Sequence, residues 1–129
     1  MSLKKQTQHQ YQISAISVFV TQESNVEKRH FLFAYKISIK NMGSQTAQLM
    51  SRQWEITDGL GHIEEVRGPG VVGLQPKITP NQVFEYESAC PLTTSTGSMK
   101  GFFHFIGNDG EPFAIEIPEF YLVAPQSVH

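Results

Sequence analysis

Hydrophobic and polar residues alternate with a period of two along most of the chain. In residues 31–39 one face carries only large apolar side chains, and the residues between them grade from apolar to polar. Successive side chains of a strand point to opposite faces, so this pattern predicts a half-buried strand. Residues 84–90 and 113–117 repeat the alternation. Residues 101–106, GFFHFI, are apolar on both faces and predict a central strand.

The first apolar run, residues 11–20, changes phase in its middle. Apolar side chains occupy odd positions up to Ala15 and even positions from Ile16 onward, which predicts a β-bulge near Ser14–Ile16. Because Lys4 and Lys5 precede it, the run faintly resembles a signal peptide. Serines interrupt it, however, and polar residues follow without a small-x-small cleavage pattern, so we interpret it as a strand.

Turn signals separate these runs. Residues 41–43, 58–61 and 107–110 are rich in asparagine, aspartate and glycine, which tolerate a positive φ. Prolines recur through the second half and disfavour long helices, and no apolar stripe with a period of 3.6 lasts for three turns. About seven strands with hairpin spacing predict an all-β fold, an antiparallel β-sandwich of the immunoglobulin or fibronectin type III kind.

Length, net charge and cysteine content limit the domain count, the classes of partner and the location that we expect. Its 129 residues are enough for one domain, residues 1–129, of which we expect residues 1–9 to be a flexible N-terminal segment. The net charge of −2 gives no reason to expect nucleic acid, and no apolar stretch is long enough for insertion into a membrane. Cys90 is the single cysteine, which excludes an intrachain disulfide and fits a cytoplasmic location.

The segment Gly68–Gly73 matches the pattern G-x-G-x-x-G, which holds a pyrophosphate in dinucleotide-binding enzymes. There the third glycine opens a helix whose N-terminus faces the phosphates. Here Pro76 and Pro80 follow and leave no room for that helix, so we expect no cofactor.

Two interpretations of this glycine loop stay open. In the interpretation we favour, the glycines permit a tight, left-handed or bulged path between two strands. Alternatively, backbone N–H groups of the loop form an anion-binding nest that Arg67 and Lys77 flank. The residues predicted for this anion site are Arg67, Gly68, Gly70, Gly73 and Lys77, with Arg52 as a helper.

Arg52 occupies an unusual position in the alternation. On a strand, Met50, Arg52, Trp54 and Ile56 share a face, so a guanidinium group lies beside an indole on an apolar surface. We favour a structural role, as a cation–π partner of Trp54 or as a paired arginine near the edge of the sheet. An anion clamp formed together with residues 67–73 is the alternative.

Signatures of metal sites and of catalysis are weak. His62 and Glu64 share a face and could hold a divalent ion if His104 lay close to them, but no H-E-x-x-H motif occurs. The sequence contains no nucleophile elbow, no Walker loop and no cysteine–histidine motif. We therefore assign no catalytic residue and no metal ligand, and expect the chain not to be an enzyme.

One long signature resembles the ApaG family. The match spans residues 52–101 with tight spacing, and the strands on either side also fit. It consists of Arg52-x-Trp54-x-Ile56-x-Asp58, Gly61, Val66-x-Gly68-x-Gly70-Val71-Val72-Gly73-x-Gln75-Pro76, Phe84-x-Tyr86-x-Ser88 and Pro91-Leu92-x-Thr94-x-x-Gly97-x-Met99-x-Gly101. Pro80-Asn81 departs from the Pro-Gly that is usual in the family.

The resemblance implies a fibronectin-like β-sandwich and little chemistry. The family is loosely associated with cobalt resistance and magnesium efflux, and related domains in eukaryotic F-box proteins and in a DNA polymerase delta-interacting protein look like binding modules. Our leading hypothesis is a non-enzymatic module that binds an unidentified protein partner. The alternatives are binding of pyrophosphate or a dinucleoside polyphosphate through residues 67–73, and direct binding of a divalent cation. Homodimerisation through sheet edges is a further expectation.

Overall fold

The computed structural model describes residues 9–126, which form eight strands, one 3-10 turn and no α-helix. The strands are β1 (Tyr11–Phe19), β2 (Phe31–Asn41), β3 (Ala47–Asp58), β4 (Ile63–Pro69), β5 (Lys77–Ile78), β6 (Val83–Leu92), β7 (Thr96–Gly107) and β8 (Pro112–Val123). The flexibility predicted for residues 1–9 falls almost wholly outside the described residues. His9, at their edge, stacks on Phe113 with ring centroids 4.1 Å apart.

These strands form two sheets that pack face to face. One sheet has the order β1-β2-β6, and the other has the order β4-β3-β7-β8, with the short β5 pairing beside β3. Every pairing between these strands is antiparallel. The predicted antiparallel sandwich is therefore confirmed.

The strand predicted over residues 31–39 shows the expected alternation. β2 buries Phe33, Ile37 and Ile39 completely, and its intervening side chains are half-buried or exposed. These residues pack against Leu49 and Phe103 and the other buried side chains of the facing sheet. Burial of such large apolar side chains is the main stabilising contribution to the sandwich, at roughly 1.5–3 kcal/mol for each.

The bulge predicted near Ser14–Ile16 is wrong. β1 pairs with β2 in one unbroken register from Tyr11 to Phe19, so the odd positions face the core throughout. Ile16 and Val18 consequently point outward and are 66% and 61% exposed. The register depends on the backbone ladder along nine residues, and it prevails over the preference of two aliphatic side chains for burial.

The central strand predicted for residues 101–106 is confirmed, because β7 pairs with β3 on one side and with β8 on the other. Its inward residues Phe103 and Phe105 are buried. Phe102 and Ile106, on its outward face, remain partly exposed. A sandwich of two layers covers only one face of each sheet, so apolar character on both faces identifies a central position but not burial on both sides.

A bulge in β3 removes Met50 from the face predicted for Arg52 and Trp54. The register between β3 and β7 shifts between Leu49 and Ser51, so that Leu49, and not Met50, fills the buried position before Arg52. Arg52 lies opposite the fully buried Phe103, and Trp54 lies opposite Gly101. Arg52 and Trp54 therefore share the inner face as predicted, but Met50 does not share it.

The two long sides of the sandwich differ. On one side β1 and β8 meet, and the Ser17 hydroxyl donates a hydrogen bond of 2.7 Å to the carbonyl of Tyr121. On the other side, β6 and β4 are each the last strand of their sheet. One side is thus bridged between the sheets, while the other presents two strand edges.

Candidate functional site

The glycine loop ends in a two-residue hairpin turn. Val71 and Leu74 exchange two backbone hydrogen bonds of 2.8 and 2.9 Å, and the two residues between them form the tip. Both tip residues have a positive φ, +44° at Val72 and +80° at Gly73, as a type I′ turn requires. Glycine adopts a positive φ without steric cost, which explains why Gly73 occupies the second tip position.

Val72 does not suit its position at this tip. A β-branched residue in the left-handed region is strained, at a cost on the order of 1–3 kcal/mol. Its side chain does not compensate by burial, because Val72 is 52% exposed and Leu74 beside it is also 52% exposed. The hairpin therefore presents two aliphatic side chains to the surroundings on a strained backbone.

The root of the hairpin is fixed to the core. Val71 is fully buried, and the Gly70 N–H donates to the carbonyl of Met50 over 2.8 Å. Gly70 has a φ of +58°, and a Cβ added there would overlap the carbonyl oxygen of Leu74. Contacts at Gly70 and Val71 thus fix the conformation of the hairpin, while its tip points into solvent.

Arg52 clamps the same root from the inner face. Its Nη1 donates hydrogen bonds of 3.0 Å to the carbonyls of Pro69 and Gly70. The guanidinium group lies directly over Gly68, where a Cβ would come within 2.9 Å of Nη2, so the first glycine of the pattern leaves room for the arginine. Arg52 is therefore hydrogen-bonded to the backbone of the loop, from a strand that has neighbours on both sides.

Arg52 and Arg67 lie on opposite faces of their sheet. Arg52 is paired in register with Gly68 and lies opposite the fully buried Phe103, so it is on the inner face of the sheet. Arg67 is paired with Gln53 on the outer face, is 68% exposed and lies 3.8 Å from Glu65. The two arginines do not converge on a common ligand position.

A shallow groove lies on the outer face beside Arg67. Its volume is about 550 Å³, and side chains from β3, β4 and β7 line it, among them Gln53, Arg67 and His104. His104 Nε2 is 3.1 Å from Gln53 Oε1. This groove, and not the glycine loop itself, is where Arg67 could meet a small anion.

The other predicted anion-site residues are dispersed. Gly73 is at the tip of the hairpin, whereas the exposed Lys77 begins β5 and pairs with Gln48. The N–H groups of Gly70, Val71 and Leu74 are all engaged within the protein, which leaves fewer donors for a nest. Of the predicted set, only Arg52, Arg67 and Gly68 line the outer groove, and Arg52 directs its guanidinium to the other side of the sheet.

The structure separates the side chains considered for a metal ion. The Nδ1 atom of His62 lies 3.3 Å from Oδ2 of Asp58, in the turn after β3. His104 is paired with Ser51, which lies seven residues before Asp58 on β3. His104 is therefore roughly 20 Å from the turn that contains His62. Within residues 9–126, no group of three histidine, cysteine or carboxylate side chains could hold a metal ion.

The pKa values of Cys90 and Asp58 are shifted from their ordinary values in opposite directions. Burial, with a smaller contribution from the charge of Glu64, raises the pKa of Cys90 to about 11, which keeps its thiol protonated. At Asp58, desolvation acts to raise the pKa, but hydrogen bonds from the backbone of His62 and Leu60 and from the His62 side chain together lower it below its ordinary value.

The comparisons with known proteins agree with this fold. The family model of the ApaG domain matches residues 21–107. The chain belongs to the ApaG family. It is 63% identical to Protein ApaG of Bdellovibrio bacteriovorus over 92% of this chain and 94% of that one. It is 46% identical to Protein ApaG of Acidithiobacillus ferrooxidans over 98% of this chain and the whole of that one.

A solved structure of the family has the same architecture. The crystal structure of a Bordetella pertussis protein designated ApaA superposes with a TM-score of 0.90 at 42% identity, covering 93% of this chain and 98% of that one. Asn81, the departure from the family's pattern that we noted, has a φ of +69°. Asparagine tolerates this region better than most residues, so it preserves the turn that glycine would make.

Within the described residues, no helix is long and apolar enough to span a membrane.

Sequence reasoning did not identify the exposed pair at the hairpin tip. The available signal was Val72 itself, since a β-branched residue directly before Gly73, in a segment of turn-forming glycines, contradicts the local propensity. We interpreted the valines only as part of a family signature. The exposure of Val72 and Leu74 depends on the pairing of Val71 with Leu74, which the sequence does not specify.

Proposed function

We propose that this chain is a non-enzymatic binding module whose hairpin, Val71–Leu74, contacts a protein partner through its exposed side chains. The observation that carries the proposal is the exposed aliphatic pair Val72 and Leu74 on a rigid, strained turn. A conformation that is fixed before binding reduces the entropy lost on association, so a rigid apolar tip is suited to recognition. The strain at Val72 weakens the fold and is accounted for if the side chain is needed for contact.

The chemistry of the buried groups supports a role in binding. Desolvation raises the pKa of Tyr11 to about 12, and the buried Cys90 thiol is likewise held protonated. Neither group is a ready nucleophile or base near neutral pH.

A capture experiment tests the proposal. The full chain is immobilised as wild type, as Val72→Asn/Leu74→Ser and as Val123→Asn, which makes the same change at an exposed valine of β8. We expect wild type and Val123→Asn to retain one protein in equimolar amount, and the hairpin variant to lose it. Retention of that protein by the hairpin variant, or recovery of no equimolar partner by wild type, would refute the proposal. Urea unfolding checks that all three proteins are folded.

Binding of pyrophosphate or a dinucleoside polyphosphate is a second candidate, and the outer groove beside Arg67 supports it. Arg67 supplies a guanidinium group at the edge of a groove of about 550 Å³ that His104 also lines. Titration of pyrophosphate against the ¹⁵N-labelled chain tests it. We expect saturable amide shifts at Arg67, Gly68 and His104 that Arg67→Gln removes and Lys40→Gln, on the other sheet, preserves. Absence of saturable shifts below about 1 mM would reject this function.

Direct binding of a divalent cation stays a prediction from the family's association with cobalt and magnesium. No donor set within residues 9–126 supports it. Calorimetry with cobalt and magnesium on wild type and His62→Ala tests it. Homodimerisation and a cytoplasmic location also stay predictions, and analytical ultracentrifugation over a range of concentrations measures the former.

A further inference from the structure

The outward edge of β6 is an unpaired strand edge. β6 pairs with β2 through ten consecutive residues, Val83–Leu92, without a bulge, and within residues 9–126 no strand pairs with its other side. Ten residues of extended backbone span about 33 Å. The edge therefore offers a regular row of backbone donors and acceptors to another strand.

The other strand edges are shorter, modified or bridged. β4 has seven residues, carries Glu64, Glu65 and Arg67 in its middle and ends in Gly68-Pro69. Charged residues, proline and shortness are the usual protections against pairing. The edges of β1 and β8 meet each other at the Ser17–Tyr121 hydrogen bond. In β6 the single proline is Pro91, near the end of the strand, and the ten-residue ladder is regular, so neither shortness nor a central proline protects this edge. Its mid-strand charges, Glu85 and Glu87, are of one sign.

The side chains on the outer face of β6 define which strand would fit. Glu85 and Glu87 point outward from its middle and are exposed. Lys36 lies 3.5 Å from Glu85, and the Ser38 hydroxyl donates to the same carboxylate over 2.9 Å. Glu87 takes part in none of the ion pairs found between residues 9 and 126. Lys36 is the register partner of Glu87 but contacts Glu85, so an incoming strand would meet a glutamate that no cation of residues 9–126 contacts.

A second copy of β6 is a poor occupant for this edge. A two-fold antiparallel pairing centred on Glu87 places this carboxylate opposite its own copy, and a shift by one residue pair places Glu85 opposite Glu87. Like charges directly opposite each other on paired strands are destabilising, whereas opposite charges are stabilising. The glutamates thus disfavour self-association at this edge and favour a basic strand.

We propose that the β6 edge binds an extended segment of a partner protein that carries basic residues at alternate positions, by adding a strand to the β1-β2-β6 sheet. Main-chain hydrogen bonds supply affinity in this mode of recognition, and alternate side chains supply specificity. Lysine or arginine on the outer face pairs with Glu87. The intervening side chains lie on the inner side, next to the half-buried Phe84 and Ser88.

This site is distinct from the hairpin tip and goes beyond the function proposed above. Val72 and Leu74 belong to the β4–β5 connection, whereas the β6 edge belongs to the facing sheet. The edge inference therefore holds or fails independently of the hairpin proposal.

The test uses a capped ten-residue peptide that alternates lysine and valine, titrated against the ¹⁵N-labelled full chain, with a glutamate–valine peptide as the reversed probe. We expect saturable amide shifts concentrated in residues 83–92 and slower hydrogen exchange there. Glu87→Lys should weaken binding of the lysine peptide about fivefold or more and strengthen binding of the glutamate peptide. Glu116→Lys, the same charge change on the outer face of β8, should leave both affinities unchanged.

Any of these results with the peptides would overturn the inference: no saturable shift in residues 83–92 below about 1 mM peptide, equal weakening by Glu87→Lys and Glu116→Lys, or shifts centred on residues 71–74 instead. The titration is repeated on Val72→Asn to separate the two proposals. Unchanged peptide binding by this variant supports the edge site even if the hairpin captures no partner. Loss of peptide binding in this variant would place the contact at the hairpin and reject the edge site.

Discussion

Two turns of the five-stranded sheet reverse the chain with positive φ angles, but their residues suit that conformation to different degrees. In the Asp58–His62 turn, Oδ1 of Asp58 accepts hydrogen bonds of 2.9 and 3.0 Å from the N–H groups of Leu60 and His62, and Gly61 takes the positive φ. In the hairpin, a valine occupies the left-handed region. The first turn is optimised for its own stability, whereas the second is held in place by contacts elsewhere. A turn that depends on external support is a better candidate for a contact surface.

The largest expected difference between the two turns is the loss of stability caused by a glycine-to-alanine substitution in each. Gly70→Ala combines a φ of +58° with overlap between the new methyl group and the carbonyl of Leu74, so we expect it to lower the free energy of unfolding by about 3 kcal/mol or more. Gly61→Ala meets no atom within 4 Å and should cost only about 1 kcal/mol for its backbone conformation. Urea unfolding measures both, and equal losses would show that the root of the hairpin is not tightly packed.

Removal of the clamp should loosen the hairpin and leave the Asp58 turn unaffected. Arg52→Met deletes two hydrogen bonds to the carbonyls of Pro69 and Gly70, and we expect a loss of about 2 kcal/mol. Amide hydrogen exchange at residues 70–74 should accelerate, with no change at residues 58–62. Arg67→Met is the control on the exposed face and should change stability by less than about 0.5 kcal/mol. If exchange accelerates equally in both turns, Arg52 supports the whole sheet and not the hairpin in particular.

Replacing Val72 by a residue that tolerates a positive φ should remove the backbone strain of the hairpin, as in the Asp58–His62 turn. Val72→Asn places a residue that tolerates the left-handed region at the tip, and we expect the free energy of unfolding to rise by about 1 kcal/mol. Val123→Asn, in a strand, should instead lower it by a few tenths of a kcal/mol, roughly as strand propensity predicts. Destabilisation by Val72→Asn would indicate that the valine contributes packing which its exposure does not reveal. Thermal unfolding of both variants is sufficient to decide.

The smallest effect concerns the charge of Asp58. Because the pKa of Asp58 in the folded protein lies below its value in the unfolded chain, ionisation of Asp58 stabilises the fold above the ordinary aspartate pKa. That contribution is lost as the pH falls through the folded-state pKa. Asp58→Asn retains an acceptor oxygen but no charge, so it should be slightly less stable than wild type at pH 7 and equal to it well below the ordinary range. A difference that persists in acid would assign the effect to altered hydrogen bonding.

The sequence predicts the strands better than their registers. Strand β2 was predictable because its inward residues are uniformly large and apolar from Phe31 to Ile39. In β1 the apolar residues change phase, and the ladder with β2 decides that Ile16 and Val18 point outward. Pairing between distant strands sets the register, and no local pattern carries that information. The bulge that separates Met50 from the face of Arg52 was unpredictable for the same reason.

The sequence directs attention to one loop but does not give the geometry of its residues. The family signature and the glycine pattern both direct attention to residues 67–73, and the structural role assigned to Arg52 agrees with its hydrogen bonds to Pro69 and Gly70. The separation of Arg52 from Arg67 follows from their neighbouring partners on paired strands, Gly68 and Gln53. Adjacent positions on a strand face opposite sides, so a residue-by-residue register is needed before two arginines can be assigned to one ligand.

The single thiol of the chain makes one kind of motion measurable without an introduced probe. Cys90 lies on the inner face of β6, is 3% exposed and has a pKa raised to about 11. A disulfide reagent reacts with thiolate that it can reach, so labelling must wait until β6 separates from the sandwich. The labelling rate in native buffer therefore reports how often this edge strand opens. A segment bound along the β6 edge would slow that reaction in proportion to its occupancy.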